Sequence, residues 1–140
     1  MIDLDDATAV LSRTPSALRA MLEGLGPHWI ERNEGGETWS PYDVVGHLVH
    51  GERTDWVPRA RIILESGEEL PFPPFDRFAQ FRDSEGKSLS ELLDEFAALR
   101  RESLEALAAM NLSAEDLART GTHPALGRVT LGELLATWVA

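Results

Sequence analysis

The side chains most able to do chemistry are concentrated in residues 39–52, which read Trp-Ser-Pro-Tyr-Asp-Val-Val-Gly-His-Leu-Val-His-Gly-Glu. His47 and His50 stand about one helical turn apart, so both imidazoles could in principle face one ion. A transition-metal site needs three or four protein ligands, and the chain has no cysteine and no second histidine pair. From the residues alone we interpret His47 as a half-buried hydrogen-bonded side chain, with metal ligation as the alternative. We interpret His50 as a solvated helix position and His123 as a loop residue.

Glu52 and Arg100 are charged residues at positions where helical periodicity predicts apolar ones. At about 100° per residue, Glu52 falls within the apolar arc of one helix and Arg100 within that of another. An unpaired buried charge is costly, whereas a carboxylate and a guanidinium can satisfy each other through two hydrogen bonds. We therefore predict a structural ion pair, Glu52 with Arg100, across two helices. Arg59 is the competing partner, and a general-base or metal-ligand role is the alternative for Glu52.

The helix that carries these groups has a clear start. Ser40 is a candidate N-cap for the amide of Asp43, and Pro41 suits the first helical turn. This pattern predicts a long helix to about Glu65. Ser-x-x-Glu and Thr-x-x-Glu capping boxes predict a third helix over residues 88–110 and a fourth beginning at Leu131.

The first helical stretch covers residues 4–25, where apolar residues recur at helical spacing. Pro15 lies inside it, and a proline interrupts helical hydrogen bonding, so we expect a kink or two helices there. Residues 27–38 and 121–128 are predicted to be loops. Residues 67–86 contain three prolines and four phenylalanines, which predicts an irregular crossover packed over the core, with a helical turn near residues 77–81.

No segment shows the alternation or the turn dipeptides of a β-hairpin, so the predicted fold is all-α. We expect one domain, residues 1–140, built as a four-helix bundle with a long crossover between helices 2 and 3. The fourth helix has no stop signal before Ala140 and looks truncated. Its apolar residues Leu135 and Trp138 are then expected to need cover, which two identical chains could provide as a homodimer.

The amino-acid composition indicates which classes of partner the protein can bind. The formal net charge of −11 disfavours nucleic acid and anionic membranes as partners, because both bind clustered Lys and Arg. The absence of cysteine excludes disulfides and thiolate metal sites. No apolar run reaches the length of a membrane span, and the acidic N-terminus does not resemble a signal peptide. We expect a cytoplasmic protein with a small-molecule partner.

The sequence resembles the DinB-like superfamily over almost its whole length. The resemblance is carried by residues 39–48 with Glu52, by Phe96-x-x-x-Arg100, by Gly-Thr-His-Pro at 121–124 and by Thr-Leu-Gly-Glu-Leu-Leu at 130–135. It implies a four-helix bundle that commonly forms homodimers and often holds a divalent metal through three histidines. His47 matches the first histidine of that set. The other two stand four residues apart on the family's fourth helix, beyond the last residue of this sequence.

Three functions follow as hypotheses. The resemblance implies a metal-dependent S-transferase for a low-molecular-weight thiol of the bacillithiol or mycothiol type, with zinc or nickel bound by an incomplete ligand set in this chain. The alternative is a non-catalytic helical-bundle module that dimerises or binds a ligand without metal. A weaker alternative is a metal-dependent hydrolase.

Overall fold

Four helical stretches form the bundle in the computed structural model, which describes residues 1–140. The helices are α1 (Leu4–Leu22), α2 (Pro27–Ile30), α3 (Pro41–Thr54), α4 (Trp56–Ser66), α5 (Ala79–Ser84), α6 (Leu89–Met110), α7 (Ala114–Leu117) and α8 (Leu131–Val139). The strands β1 (Thr120–His123) and β2 (Gly127–Thr130) pair antiparallel between α7 and α8. The first stretch of the bundle is α1, the second is α3 together with α4, the third is α6 and the fourth is α8. The predicted four-helix bundle with a long crossover between its second and third helical stretches is confirmed, and the predicted all-α class holds apart from the short hairpin.

Capping chemistry fixes where the bundle helices begin. The hydroxyls of Ser40, Ser88 and Thr130 each accept the amide of the third residue of the following helix. In each case the side chain of that third residue accepts the cap residue's own amide, which completes a capping box. These three predicted starts are confirmed.

The second helical stretch is divided rather than continuous to Glu65. Asp55 separates α3 from α4 with φ −97° and ψ −67°. Pro58 has no N–H for the carbonyl of Thr54, four residues earlier, so helical hydrogen bonding is interrupted at this point. The prediction of one unbroken helix is therefore wrong here, and the break leaves Asp55 at the junction of two helices.

The first helix shows the opposite outcome, because α1 runs through Pro15 as one helix. A proline at position 15 cannot donate to the carbonyl of Leu11. In the structure Arg100 Nη1 donates to that carbonyl at 2.8 Å. Of the two predicted outcomes at Pro15, a kink or two helices, the second is wrong, since a partner from α6 replaces the missing backbone donor.

The segment predicted to be a loop at residues 121–128 is a β-hairpin. Pro124 to Leu126 connect the strands, and Gly127 follows with φ +75°, a conformation that favours glycine. Gly121 lies so close to α4 and the crossover that an added Cβ would stand 2.7 Å from Ile63 Cγ1. The sequence feature that indicates the hairpin is therefore a three-residue loop that begins at Pro124 and is followed by Gly127, rather than an Asn-Gly dipeptide.

The core lies between the bundle helices and the hairpin. Residues buried there include Leu11, Ile63, Phe72, Phe96, Leu107, Leu131, Leu135 and Trp138. Leu135 and Trp138 are already covered within one chain, so the expectation that a second chain must cover them is wrong. None of the helices is both long enough and apolar enough to cross a membrane.

Two connecting segments also depart from expectation. Residues 27–38 contain the short helix α2, although a loop was predicted. In the crossover, Phe72 is buried and Phe75 is half-buried, but Phe78 and Phe81 are exposed by 63% and 45%. The expected helical turn near residues 77–81 is present as α5. Only part of the crossover therefore packs over the core.

Candidate functional site

A buried ion pair joins α3 to α6. Arg100 Nε donates to Glu52 Oε1 at 2.8 Å and Arg100 Nη2 donates to Glu52 Oε2 at 3.1 Å. Trp138 Nε1 donates to the same Oε2 at 3.2 Å, and the guanidinium lies over the rings of Phe96 and Trp138. Both side chains are almost fully enclosed.

The hydrogen bonds of the ion pair indicate a structural role. Each carboxylate oxygen of Glu52 accepts a hydrogen bond, and the third nitrogen of Arg100 serves the Leu11 carbonyl. Both oxygens of Glu52 are engaged and the side chain is almost fully buried, so the carboxylate is poorly placed to reach a substrate. Arg59, the competing partner, lies instead beside Asp55, with Nη2 at 3.4 Å from Oδ1.

His47 is half-buried on α3 and has a defined tautomer. Gln80 Nε2 donates to the carbonyl of Asp43 at 3.0 Å, which turns Gln80 Oε1 toward His47 Nδ1 at 3.2 Å. Because Oε1 can only accept, the neutral form of the ring carries its proton on Nδ1 and has its lone pair on Nε2. A histidine whose other ring nitrogen donates to an oxygen is oriented as metal-ligating histidines usually are.

His50 is buried, with 6% exposure, and the prediction of a solvated helix position is wrong. Phe75 of the crossover covers it, with ring centroids 4.8 Å apart, and the same phenylalanine contacts His47 at 5.4 Å. Both His50 nitrogens lack a hydrogen-bond partner, and the nearest acid, Asp83, lies 3.9 Å from Nδ1. The position of the crossover on the bundle could not be predicted from the sequence, so the burial of His50 by Phe75 was missed.

The donor set for a metal is incomplete in residues 1–140. No group of three or more histidine, cysteine, aspartate or glutamate side chains is arranged to hold a metal ion. His47 supplies one oriented imidazole, whereas a zinc or nickel site needs at least three protein ligands. The residues present therefore do not fit the metal that the resemblance implies.

A second polar cluster lies in a cleft between α4, the crossover, the hairpin and α8, with a volume of about 710 Å³. We call it the hairpin cleft. Its polar residues include Asp55, Arg59, His123, Arg128, Glu133 and Thr137, and its apolar walls include Trp56, Phe75, Leu126, Val129 and Leu134. A cleft of this size with apolar walls and a few convergent polar groups is typical of a small-molecule site.

Two side chains in the hairpin cleft have pKa values that are shifted from their ordinary values. Burial raises the pKa of the Asp55 carboxyl, and the positive charge of Arg59 opposes that shift. Burial, with a smaller contribution from Arg59, lowers the pKa of the His123 imidazole. At neutral pH His123 is therefore uncharged, and Asp55 binds a proton more readily than an exposed aspartate.

Sequence reasoning missed Asp55 and Arg59 as members of a site and placed His123 in a loop. Asp55 stands three residues before Pro58, and that spacing was the available signal that a carboxylate would lie at a helix break. His123 comes to the same cleft from a hairpin 68 positions later in the chain. Glu52 and Arg100 are in contact with each other, but not at this cleft, while His47 and His50 lie behind Phe75.

Comparison with known proteins adds the family. A family model described as DinB superfamily matches residues 11–140. Among solved structures, YfiT from Bacillus subtilis, described as a probable metal-dependent hydrolase with an unusual four-helix bundle topology, superposes with a TM-score of 0.80. The two sequences are 22% identical, over 96% of this chain and 77% of that one, so this likeness shows the fold alone. Curated proteins gave no match. Because the family model spans nearly the whole sequence, the chain belongs to the DinB superfamily.

Proposed function

We propose that this DinB superfamily member binds a small molecule in the hairpin cleft. The observation that carries the proposal is the combination of a cavity of about 710 Å³ with Asp55 and His123, the two cleft groups whose pKa values are shifted by burial. Shifted titratable groups in a cleft are more common at functional sites than elsewhere on a protein.

A second depression of similar volume, about 740 Å³, is the weaker candidate. We call it the α1–α8 groove, and it is lined by Ile2, Asp3, Ala7, Val10, Leu117, Glu133, Ala136 and Val139 among others. Two of its three carboxylates are already used, because Asp3 caps α1 and Glu133 completes the capping box of α8, which leaves Asp6 as the third. It therefore offers a mainly apolar surface with fewer free polar groups to orient a ligand than the hairpin cleft has.

The proposal is tested by mapping organic probes with NMR. Amide spectra of the labelled protein are recorded with acetone, isopropanol and phenol, which together sample acceptor, donor and apolar character. We expect the largest shift changes at Ala125, Leu126 and Thr137 of the hairpin cleft. Changes confined to the α1–α8 groove, or spread evenly over the surface, would contradict the proposal.

A metal-dependent function is the second candidate, and the bare Nε2 of His47 favours it. The forms considered are an S-transferase for a bacillithiol- or mycothiol-type thiol and, as the description of YfiT suggests for that protein, a hydrolase. We place it second because residues 1–140 supply one oriented imidazole only. Zinc and nickel titrations of this chain and of His47→Ala separate the candidates. We expect weak binding that His47→Ala leaves unchanged, while tight stoichiometric binding lost in His47→Ala would place the metal-dependent function first.

A further inference from the structure

We infer that the hairpin cleft selects an uncharged molecule with a carboxamide-type head group on an apolar body. This inference rests on the proposed function and deepens it. A carboxamide presents a carbonyl acceptor beside an N–H donor. The polar groups of the hairpin cleft present the complementary set, two donors and one acceptor with unused hydrogen-bonding capacity, with balanced charge.

The first free donor is His123 Nε2–H. His123 Nδ1 accepts the backbone amides of Ala125 at 3.0 Å and Leu126 at 3.1 Å. Those two donors require a lone pair on Nδ1, so the proton of the neutral ring is on Nε2. Nε2–H makes no hydrogen bond within the protein, although the residue lines the hairpin cleft.

The second donor is the Arg59 guanidinium. Its side chain is 8% exposed, and its polar contacts are Nη2 to Asp55 Oδ1 and Nη2 to the carbonyl of Pro73, both at 3.4 Å. An arginine carries five N–H donors, and both contacts made here are long. The remaining donors stay available to an acceptor in the cleft, while the face of the guanidinium packs on Phe72.

The free acceptor is the Asp55 carboxylate. Its side chain is 16% exposed, and its one polar partner is Arg59 at 3.4 Å. A mostly buried carboxylate gains most from a donor that reaches it without bringing further charge. An amide N–H meets that requirement.

Charge balance explains why the ligand is uncharged. Asp55 offsets Arg59, and Arg128 is paired with Glu68. His123 is neutral, and Glu133 adds a negative charge at the edge of the cleft. The chain as a whole carries a formal charge of −11, which repels anions. A carboxylate ligand would therefore bind against both the local and the overall charge.

Three matched probes test the inference by calorimetric titration. N-phenylbutanamide carries the complete head group, phenyl butanoate lacks the N–H, and 4-phenylbutanoate is an anion. Loss of a hydrogen bond to a charged acceptor should weaken the ester about tenfold relative to the amide. The anion should bind more weakly still. Ester or anion binding as tight as amide binding would overturn the inference.

Asp55→Asn gives the matched variant. It should weaken the amide about tenfold and leave the ester unchanged, because only the amide has a donor for the carboxylate. The exposed Glu65→Gln changes the net charge equally, outside the hairpin cleft, and should leave every affinity unchanged. Equal losses for amide and ester in Asp55→Asn would indicate a structural role for Asp55 and contradict the inference.

Nitrogen NMR of His123 supplies an independent readout. The free protein should show the Nε2–H tautomer, and the amide should move the Nε2 resonance while the Nδ1 resonance stays in place. An Nδ1–H tautomer would overturn the inference. If none of the three probes binds but solvent probes map to the hairpin cleft, the head-group inference fails and the proposed function stands. If solvent probes also miss the hairpin cleft, both fail.

Discussion

The buried Glu52 carboxylate accepts three hydrogen bonds, two from Arg100 and one from Trp138. Arg100 provides two of the three donors to Glu52 and also serves the Leu11 carbonyl. Removing it in Arg100→Met leaves a buried charge and a free carbonyl, so the free energy of unfolding should fall by about 3–5 kcal/mol. Urea denaturation measures this loss.

The control for Arg100→Met is Arg82→Met, which breaks an ion pair with Asp76 on the surface. Solvent screens an exposed pair, so this variant should unfold close to the wild-type midpoint. Equal effects for the two variants would show that water reaches the Glu52 carboxylate.

The raised pKa of the Asp55 carboxyl predicts that the free energy of unfolding depends on pH. Burial raises the folded-state pKa of this carboxyl above its unfolded value, so the folded state binds the proton more tightly. The contribution of Asp55 to stability is therefore fully present below the unfolded pKa and is lost as pH rises through the folded pKa. Relative to wild type, Asp55→Asn should gain stability as pH rises from about 4. Urea midpoints across this range give the comparison, with Glu65→Gln as control. A difference that is constant with pH would contradict the prediction.

The candidate site was only partly predictable at the residue scale. Glu52 and Arg100 could be paired because each interrupts an apolar arc within its own helix. Asp55 and His123 gave no comparable pattern, because one lies at a helix break and the other on a hairpin. Their proximity depends on how the hairpin packs on α4, which involves the close approach of Gly121 to Ile63.

At the scale of elements, Pro15 and Arg100 should be energetically coupled. Pro15→Ala restores a backbone donor for the Leu11 carbonyl, which Arg100 otherwise serves. The loss caused by Arg100→Met should therefore be smaller in the Pro15→Ala background than in wild type. A double-mutant cycle in urea measures the difference, and a coupling free energy within about 0.5 kcal/mol of zero would contradict this account of why α1 runs unbroken.

The helix starts were predictable because capping is local. Ser40, Ser88 and Thr130 each find their partners within three residues, so the sequence contains the whole interaction. The continuity of α1 was not predictable, since the donor that stabilises it comes from α6. The break at Asp55 had a weak local signal in the sequence, which is Pro58. The hairpin also had a weak one, which is the turn from Pro124 to Gly127.

At the scale of the whole molecule, the homodimer stays a proposal and needs a different surface from Leu135 and Trp138. The outer face of α1 presents Val10 and Met21, which are 49% and 69% exposed and stand eleven residues apart, close to three helical turns. We expect a dimer mass by light scattering at micromolar concentration and a monomer mass for Met21→Glu. A wild-type monomer would contradict the proposal, and a Met21→Glu dimer would place the interface elsewhere.

We propose that the ligand of this chain occupies the hairpin cleft. The most direct test is a crystal structure of the protein with N-phenylbutanamide. We predict the phenyl ring against Phe75 and Leu126, the carbonyl oxygen within about 3.2 Å of His123 Nε2, and the amide nitrogen on Asp55. The amide bound in the α1–α8 groove or beside His47, with the hairpin cleft filled by water alone, would contradict the claim.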